Sequence, residues 1–154
     1  MNKKYEIISG FPGIGKTYYK QNINNFILDS DSSRFSWIKK DERNLNFPKN
    51  YIDHIKNSIP HYDLILISSH KIVREALVSN NLFFTLIFPE RDLKEEYILR
   101  FKKRGSPQNF INMMEKNWEV FIDEMENQKG CKIIKLKSHQ FLQTYLRYKN
   151  KEEK

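Results

Sequence analysis

The stretch "YEIISGFPGIGKTYYKQ", residues 5 to 21, constrains this chain more than any other. A short apolar run leads into Gly10, and Gly10, Gly15, Lys16 and Thr17 complete the spacing G-x-x-x-x-G-K-[ST], with Phe11, Pro12, Gly13 and Ile14 between. Each residue type has its own physical reason. Glycines reach torsions that turn successive N–H groups toward one concavity where phosphate oxygens fit, and a helix starting just beyond adds its positive end. Lys16 can reach terminal phosphates, and the Thr17 hydroxyl can ligate magnesium. The segment predicts a buried strand, a nucleotide-phosphate loop over residues 10 to 17 and a helix from near Lys16, with Tyr18, Tyr19 and Ile23 as its apolar positions. ATP and Mg2+ are the cofactors it implies.

The rest of the chain alternates strands with helices. "FILDSDSS", "YDLILISSH", "LFFTLIFP" and "CKIIKLKS" read as four further strands. Pro48 and Pro60 bracket a helix with Ile52, Ile55 and Ile59 on one face. "KIVREALVSNN" predicts a helix with Ile72, Val73, Ala76 and Leu77 inward. "ERDLKEEYILRFKKRG" predicts another, with Leu93, Tyr97, Ile98 and Phe101 on one face and Arg100 and Arg104 aligned on a second. A long helix follows with Phe110, Met114, Trp118, Phe121 and Met125 as its core stripe, and "HQFLQTYLRYK" closes the chain. Continuous apolar strands separated by helices imply an α/β domain, a five-stranded parallel sheet covered on both faces. Ligands then collect beyond the carboxyl ends of the strands.

With 154 residues, 39% of them hydrophobic, the chain suits one domain, residues 1–154, with a substrate-side insertion over 38–60 and a lid over 91–108. One cysteine, Cys131, rules out an intramolecular disulfide and a cysteine zinc cluster. Runs such as "LILI" and "LFFTLIF" are too short to span a membrane, and the amino terminus lacks a secretory pattern, so the expectation is a cytoplasmic protein with no membrane and no obligate protein partner. The net charge of +8 attracts polyanions, nucleotide or nucleic acid alike.

On the acceptor side, Asp29 and Asp31 emerge at the carboxyl end of the second strand, across from the loop. An aspartate there can orient an acceptor hydroxyl or hold magnesium through water; Asp and Ser also make ordinary side-chain-to-backbone turns. Arg34 can clamp an acceptor phosphate, and Phe35 and Trp37 can stack on a base or pack. Asp63 precedes its strand, the wrong end to meet magnesium, and reads as structural. Ser68, Ser69 and His70 stand at the correct end, to bind phosphate, a metal-bound water or substrate, or to cap the next helix. Arg100 and Arg104 are placed to neutralise charge on a transferred phosphoryl group. Lys137 to His139 can border the adenine.

These residues resemble the small P-loop kinases: the nucleoside and nucleoside-monophosphate kinases and the kinase domain of polynucleotide kinase. "GFPGIGKT" looks like the G-x-P-G-x-G-K loop of that group, and "YILRFKKRG" like its lid, carrying over Arg100 and Arg104. "DSDSSRF" is similar to the polynucleotide-kinase segment in which an aspartate is the base and an arginine three residues on holds the acceptor. That implies these roles for Asp31 and Arg34. The chain also looks like short lysine- and asparagine-rich kinases of bacteriophage type, which implies the host cytoplasm. The resemblance implies a three-layer P-loop NTPase fold with strand order 2-3-1-4-5, helices on both faces and a helical lid. Two departures separate it from adenylate kinases: "GKT" lacks a glycine between lysine and threonine, and "SSHK" replaces D-G-[FY]-P-R. The expected activity is phosphoryl transfer from ATP to a nucleoside or nucleotide. Its alternatives are a kinase acting on a 5'-hydroxyl or modified base of nucleic acid, and a non-catalytic ATP-binding regulator.

Overall fold

The computed structural model describes residues 4–17 and 26–152. Its strands in chain order are β1 (Glu6–Gly10), β2 (Ile27–Ser30), β3 (Trp37–Lys39), β4 (Glu42–Arg43), β5 (Leu64–Ser68), β6 (Thr85–Pro89) and β7 (Lys132–Leu136). The helices are α1 (Ser33–Ser36), α2 (Lys49–Ser58), α3 (Lys71–Ser79), α4 (Lys94–Lys103), α5 (Gln108–Glu126) and α6 (Leu142–Glu152). The expected helix residues Tyr18, Tyr19 and Ile23 lie outside the described residues.

Five strands form one all-parallel sheet in the order β2-β5-β1-β6-β7, while β3 and β4 pair antiparallel as a separate hairpin. Taken in chain order by themselves, the five strands of the sheet are arranged 2-3-1-4-5, since the hairpin takes two numbers between β2 and β5. The centre of the sheet follows from its sequence. In β5, Leu64, Ile65, Leu66 and Ile67 are all buried, as are all five residues of β6. Successive side chains point to opposite faces, so both faces are covered there. The edge strand β7 instead keeps Lys132 and Lys135 exposed, which discourages pairing with another chain.

Register brings the carboxyl ends level: Gly10 pairs with Ser68 and Ile87, and Ser30 with Ile67. The acceptor-side corner is pinned by α2, where the buried Tyr51 hydroxyl donates to the Ser30 carbonyl (2.6 Å) and Asn50 Nδ2 to the Phe35 carbonyl (2.8 Å). Ile52 and Ile55 are buried, Ile59 is half-buried, and a single tight turn over Ile59–His61 follows the helix. At the opposite end of β1, Glu6 accepts hydrogen bonds from Thr85 Oγ1 and Tyr145 Oη (3.0 Å each) and from Lys149 Nζ, which docks α6.

Two expected faces turn out shifted. In α5 the fully buried positions are Ile111, Met114, Trp118, Ile122 and Met125, while Phe110 and Phe121 sit half-buried on the shoulder. In α3, Val73 and Leu77 are buried as expected, but Ile72 is exposed and Arg74 takes an inward place, because its guanidinium bonds the Ser69 carbonyl (2.8 Å) and Gln128 Oε1 (2.6 Å). A buried cation needs such partners, and these supply them. Among the described residues no helix is long and apolar enough to cross a membrane.

Trp118 ties this core to the end of β1. Its indole packs edge-on against Phe11 (centroids 5.5 Å apart) and donates to the Arg91 carbonyl (2.8 Å). Replacement Trp118→Ala should lower unfolding free energy by about 3–5 kcal/mol, and Trp118→Phe by clearly less, in urea denaturation.

Candidate functional site: a glycine turn facing two aspartates

The chain leaves the sheet at Gly10 and makes one further ladder bond, from Phe11 N–H to the Ile87 carbonyl (2.9 Å). Phe11 and Ile14 then bury their side chains, fixing the turn from inside. Between and beyond them Gly13 and Gly15 stand at φ +87° and +95°, a region closed to most side chains without strain. Gly10 is required for a different reason: a Cβ there would lie 2.6 Å from Ile14 Cδ1 and 2.9 Å from Lys16 Cδ. Lys16 and Thr17 are already helical.

Lys16 folds back so that its ammonium donates to the Gly10 carbonyl. Crowding by protein atoms pulls its pKa down to about 8; the carboxylates of Asp29 and Asp31 oppose that shift and the Arg104 cation adds to it. The Lys16 ammonium thus feels both aspartates and Arg104. Thr17 Oγ1 donates to Asp29 Oδ2 (3.1 Å), joining the loop to β2 across the cleft. Among the described residues no three His, Cys, Asp or Glu side chains cluster as a metal site. The hydroxyl–carboxylate pair is the oxygen donor set here, and it suits an ion that keeps most of its ligands from water and phosphate.

Asp31 is exposed, and its Oδ1 accepts from Ser33 N–H (2.9 Å), closing the turn into α1. Arg34 is exposed in the last turn of that short helix. Phe35 packs on Tyr51 and His54 (5.1 and 4.8 Å), whereas Trp37 is stacked under Arg43 (3.9 Å) on the hairpin. His70 stands at the start of α3 but its side chain makes no capping bond. Its imidazole is held below its ordinary pKa by burial first, then by the Lys16 charge, and it also feels Asp31, Arg74 and Arg43. Ser69 is half-buried, its carbonyl occupied by Arg74. Asp63 precedes β5, its N–H bonded to the Phe26 carbonyl and its own carbonyl to Glu6 N–H (2.9 Å each), at the far end of the sheet from the loop.

The two arginines expected in a lid separate. Arg100 turns onto the back of the loop: its guanidinium donates to the carbonyls of Gly13 (3.0 Å) and Gln140 (3.1 Å) and to Glu96 (2.8 Å), between the rings of Tyr97 and Phe141. Arg104 lies nearer the cleft, over Phe101 and Phe110, with its Nε bonded to Ser106 Oγ (2.9 Å). Glu96 completes the brace by accepting from Ser138 Oγ and from His139 N–H (3.2 Å), and the Leu142 N–H bonds the Ile14 carbonyl (2.8 Å). The Glu96 carboxyl is partly desolvated, yet these bonds and Arg100 hold it below its ordinary pKa. Sequence reasoning missed Glu96 and Gln140; the spacing of Glu96 and Arg100, four apart on one helix, was the available signal for the first.

No protein-family model matches this chain and no curated protein matches it significantly, so function rests on the geometry.

The brace yields a contrast between neighbouring arginines. Arg100→Met should lower stability by about 2–3 kcal/mol and speed hydrogen exchange in residues 11–17 above other regions. Arg104→Met should stay within about 1 kcal/mol of the parent chain.

Proposed function

We propose that this chain is a P-loop kinase that transfers the terminal phosphoryl group of ATP to a nucleoside or nucleotide. The observation that carries the reading is the glycine turn at the carboxyl end of the central strand, with Lys16 folded over it and Thr17 facing Asp29. Sheet order supports it, since the five parallel strands run 2-3-1-4-5 by chain order, as the resemblance to P-loop NTPases implies. Residues 10–17 fit a triphosphate: the Gly10 position leaves room only for Lys16 and Ile14, and the positive φ values of Gly13 and Gly15 suit an anion nest.

Bound Mg–ATP supplies the phosphoryl group and a divalent charge. Gly13, Gly15 and Lys16 then bind phosphate oxygens through main-chain amides, and the Lys16 ammonium exchanges the Gly10 carbonyl for them. Thr17 and Asp29 are the residues that would hold magnesium. Asp31 keeps one oxygen on Ser33 N–H, which leaves the other to accept the acceptor hydroxyl proton and orient that oxygen in line. Arg34 binds an acceptor phosphate where there is one. Arg104 neutralises developing charge, while Arg100 keeps the turn in shape.

The test is incubation with labelled ATP, Mg2+ and a panel of nucleosides, nucleotides and DNA ends. Asp31→Asn should keep ATP affinity and lose turnover by about 10²–10⁴-fold, an outcome a non-catalytic binder would not show. Lys16→Ala should weaken ATP binding at least about tenfold.

Protonation gives a further expectation. Below about pH 8 the Lys16 ammonium is already present in the free protein; above it, binding an anion must take up a proton. ATP affinity should be level up to about pH 8 and then fall by at most about tenfold per pH unit. Titration calorimetry in two buffers of different ionisation enthalpy should show proton uptake above pH 8, and Lys16→Arg should remove it.

A further inference from the structure

On the β5 side of the loop lies a cavity of about 240 Å³ that the assignments above leave unused. We propose that it holds the base of a nucleoside acceptor, as an uncharged flat ring; this rests on the phosphotransferase reading and names the acceptor class within it.

Position comes first. Phe11 and Pro12 belong to the phosphate loop and also wall the cavity, so a ring lodged there adjoins the phosphate oxygens. The loop has two flanks. Gln140 and Leu142, after β7, reach it from the side where β6 and β7 lie. The cavity instead opens beside Ser69 and His70, which follow β5, the strand between β1 and β2, while α5 supplies the opposite wall. A group bound there meets the residues that follow β5, whose other neighbour in the sheet, β2, carries Asp29 and leads into Asp31. His70 belongs to both places, since it lines the cavity and feels the charges of Lys16 and Asp31.

The lining then selects the chemistry. Met114, Phe121 and Met125 form the far wall with Met113 at its mouth, and thioethers and ring edges pack well on aromatic faces. Two cations, Lys71 and Arg74, also border the space, but two carboxylates answer them: Glu124 lies 4.0 and 3.9 Å from them and Glu75 4.0 Å from Lys71, and Arg74 is further bonded to Ser69 and Gln128. Their charge is answered within the protein. A phosphate or a nucleic-acid backbone would find no unbalanced positive charge, whereas a neutral ring would meet no penalty. At the rim, the Ser69 hydroxyl and, in its neutral form, the His70 imidazole each offer a donor and an acceptor, the complement of a heterocycle edge; partial burial and the Lys16 charge lower the His70 pKa. Size limits the occupant to one moiety, because pockets for whole ligands run from about 300 to 1,000 Å³. The sugar stays outside, toward Asp31.

The methionines make this directly measurable. The chain has four, Met1, Met113, Met114 and Met125, and the last three line the cavity. With 13C-methyl methionine, titration by a panel of ribo- and deoxyribonucleosides, with a non-hydrolysable ATP analogue and Mg2+ present, should shift those three methyl signals for at least one nucleoside. Met113→Glu, at the half-open mouth, should weaken that response at least about tenfold while the ATP-analogue affinity measured by calorimetry stays within about twofold. If the analogue binds and no nucleoside moves the methionines, or only an oligonucleotide does, the base-pocket proposal is overturned alone. If neither analogue nor nucleosides bind, it falls together with the phosphotransferase reading.

Discussion

A turn whose amides must face a ligand cannot also use them to hold itself together, so its shape has to be imposed by its surroundings. Here the imposition comes from several directions. Phe11 and Ile14 anchor it in the core, Phe11 N–H extends the sheet toward β6, Arg100 grips the Gly13 carbonyl, and Leu142 N–H takes the Ile14 carbonyl. These contacts use side chains and carbonyls apart from two amides, Phe11 at the sheet edge and Ile14, whose N–H bonds the Phe11 carbonyl (3.4 Å); the amides of Gly13, Gly15 and Lys16 are not among them. The positive φ of Gly13 and Gly15 is thereby maintained by packing that lies behind the loop, away from the cleft.

That arrangement explains why neighbouring arginines on one helix differ in role. Arg100 is half-enclosed by Tyr97, Phe141 and Glu96 and acts as a strut between the loop and the segment after β7. One turn later, Arg104 is exposed at the end of α4 and contributes its charge to the cleft, where it lowers the proton affinity of Lys16. Helical periodicity aligned them on one face; what separates them is where that face meets the loop. The central strand divides the site in the same way, with the brace after β7 on one flank and the aspartates and His70 on the other.

Much of this was legible in the sequence because it depends on local patterns. Apolar runs marked the strands of the sheet, continuous in β5 and β6 and short in β2 and β7, and glycine spacing marked the turn. The hairpin of β3 and β4 was missed because "WIKKDER" has neither an apolar alternation nor a glycine, its turn instead placing Asp41 at φ +66°. The inward turn of Arg74 was illegible for another reason: its partners Ser69 and Gln128 are met only after folding, and a burial pattern read from hydropathy assigns a cation outward. Asp31 was read as either a turn former or a site residue, and its geometry is compatible with both, one carboxylate oxygen closing the turn. The cavity had no signature at all, since Phe11, His70, Met113 and Phe121 come from three separate parts of the chain.

The central claim is that main-chain amides of residues 10–17 bind a row of phosphate oxygens. A crystal structure with a non-hydrolysable ATP analogue and Mg2+ measures this directly. The account predicts phosphate oxygens about 3 Å from the amides of Gly13, Gly15 and Lys16, with the Lys16 ammonium moved off the Gly10 carbonyl. An analogue seated elsewhere, with Lys16 still on Gly10, would contradict it.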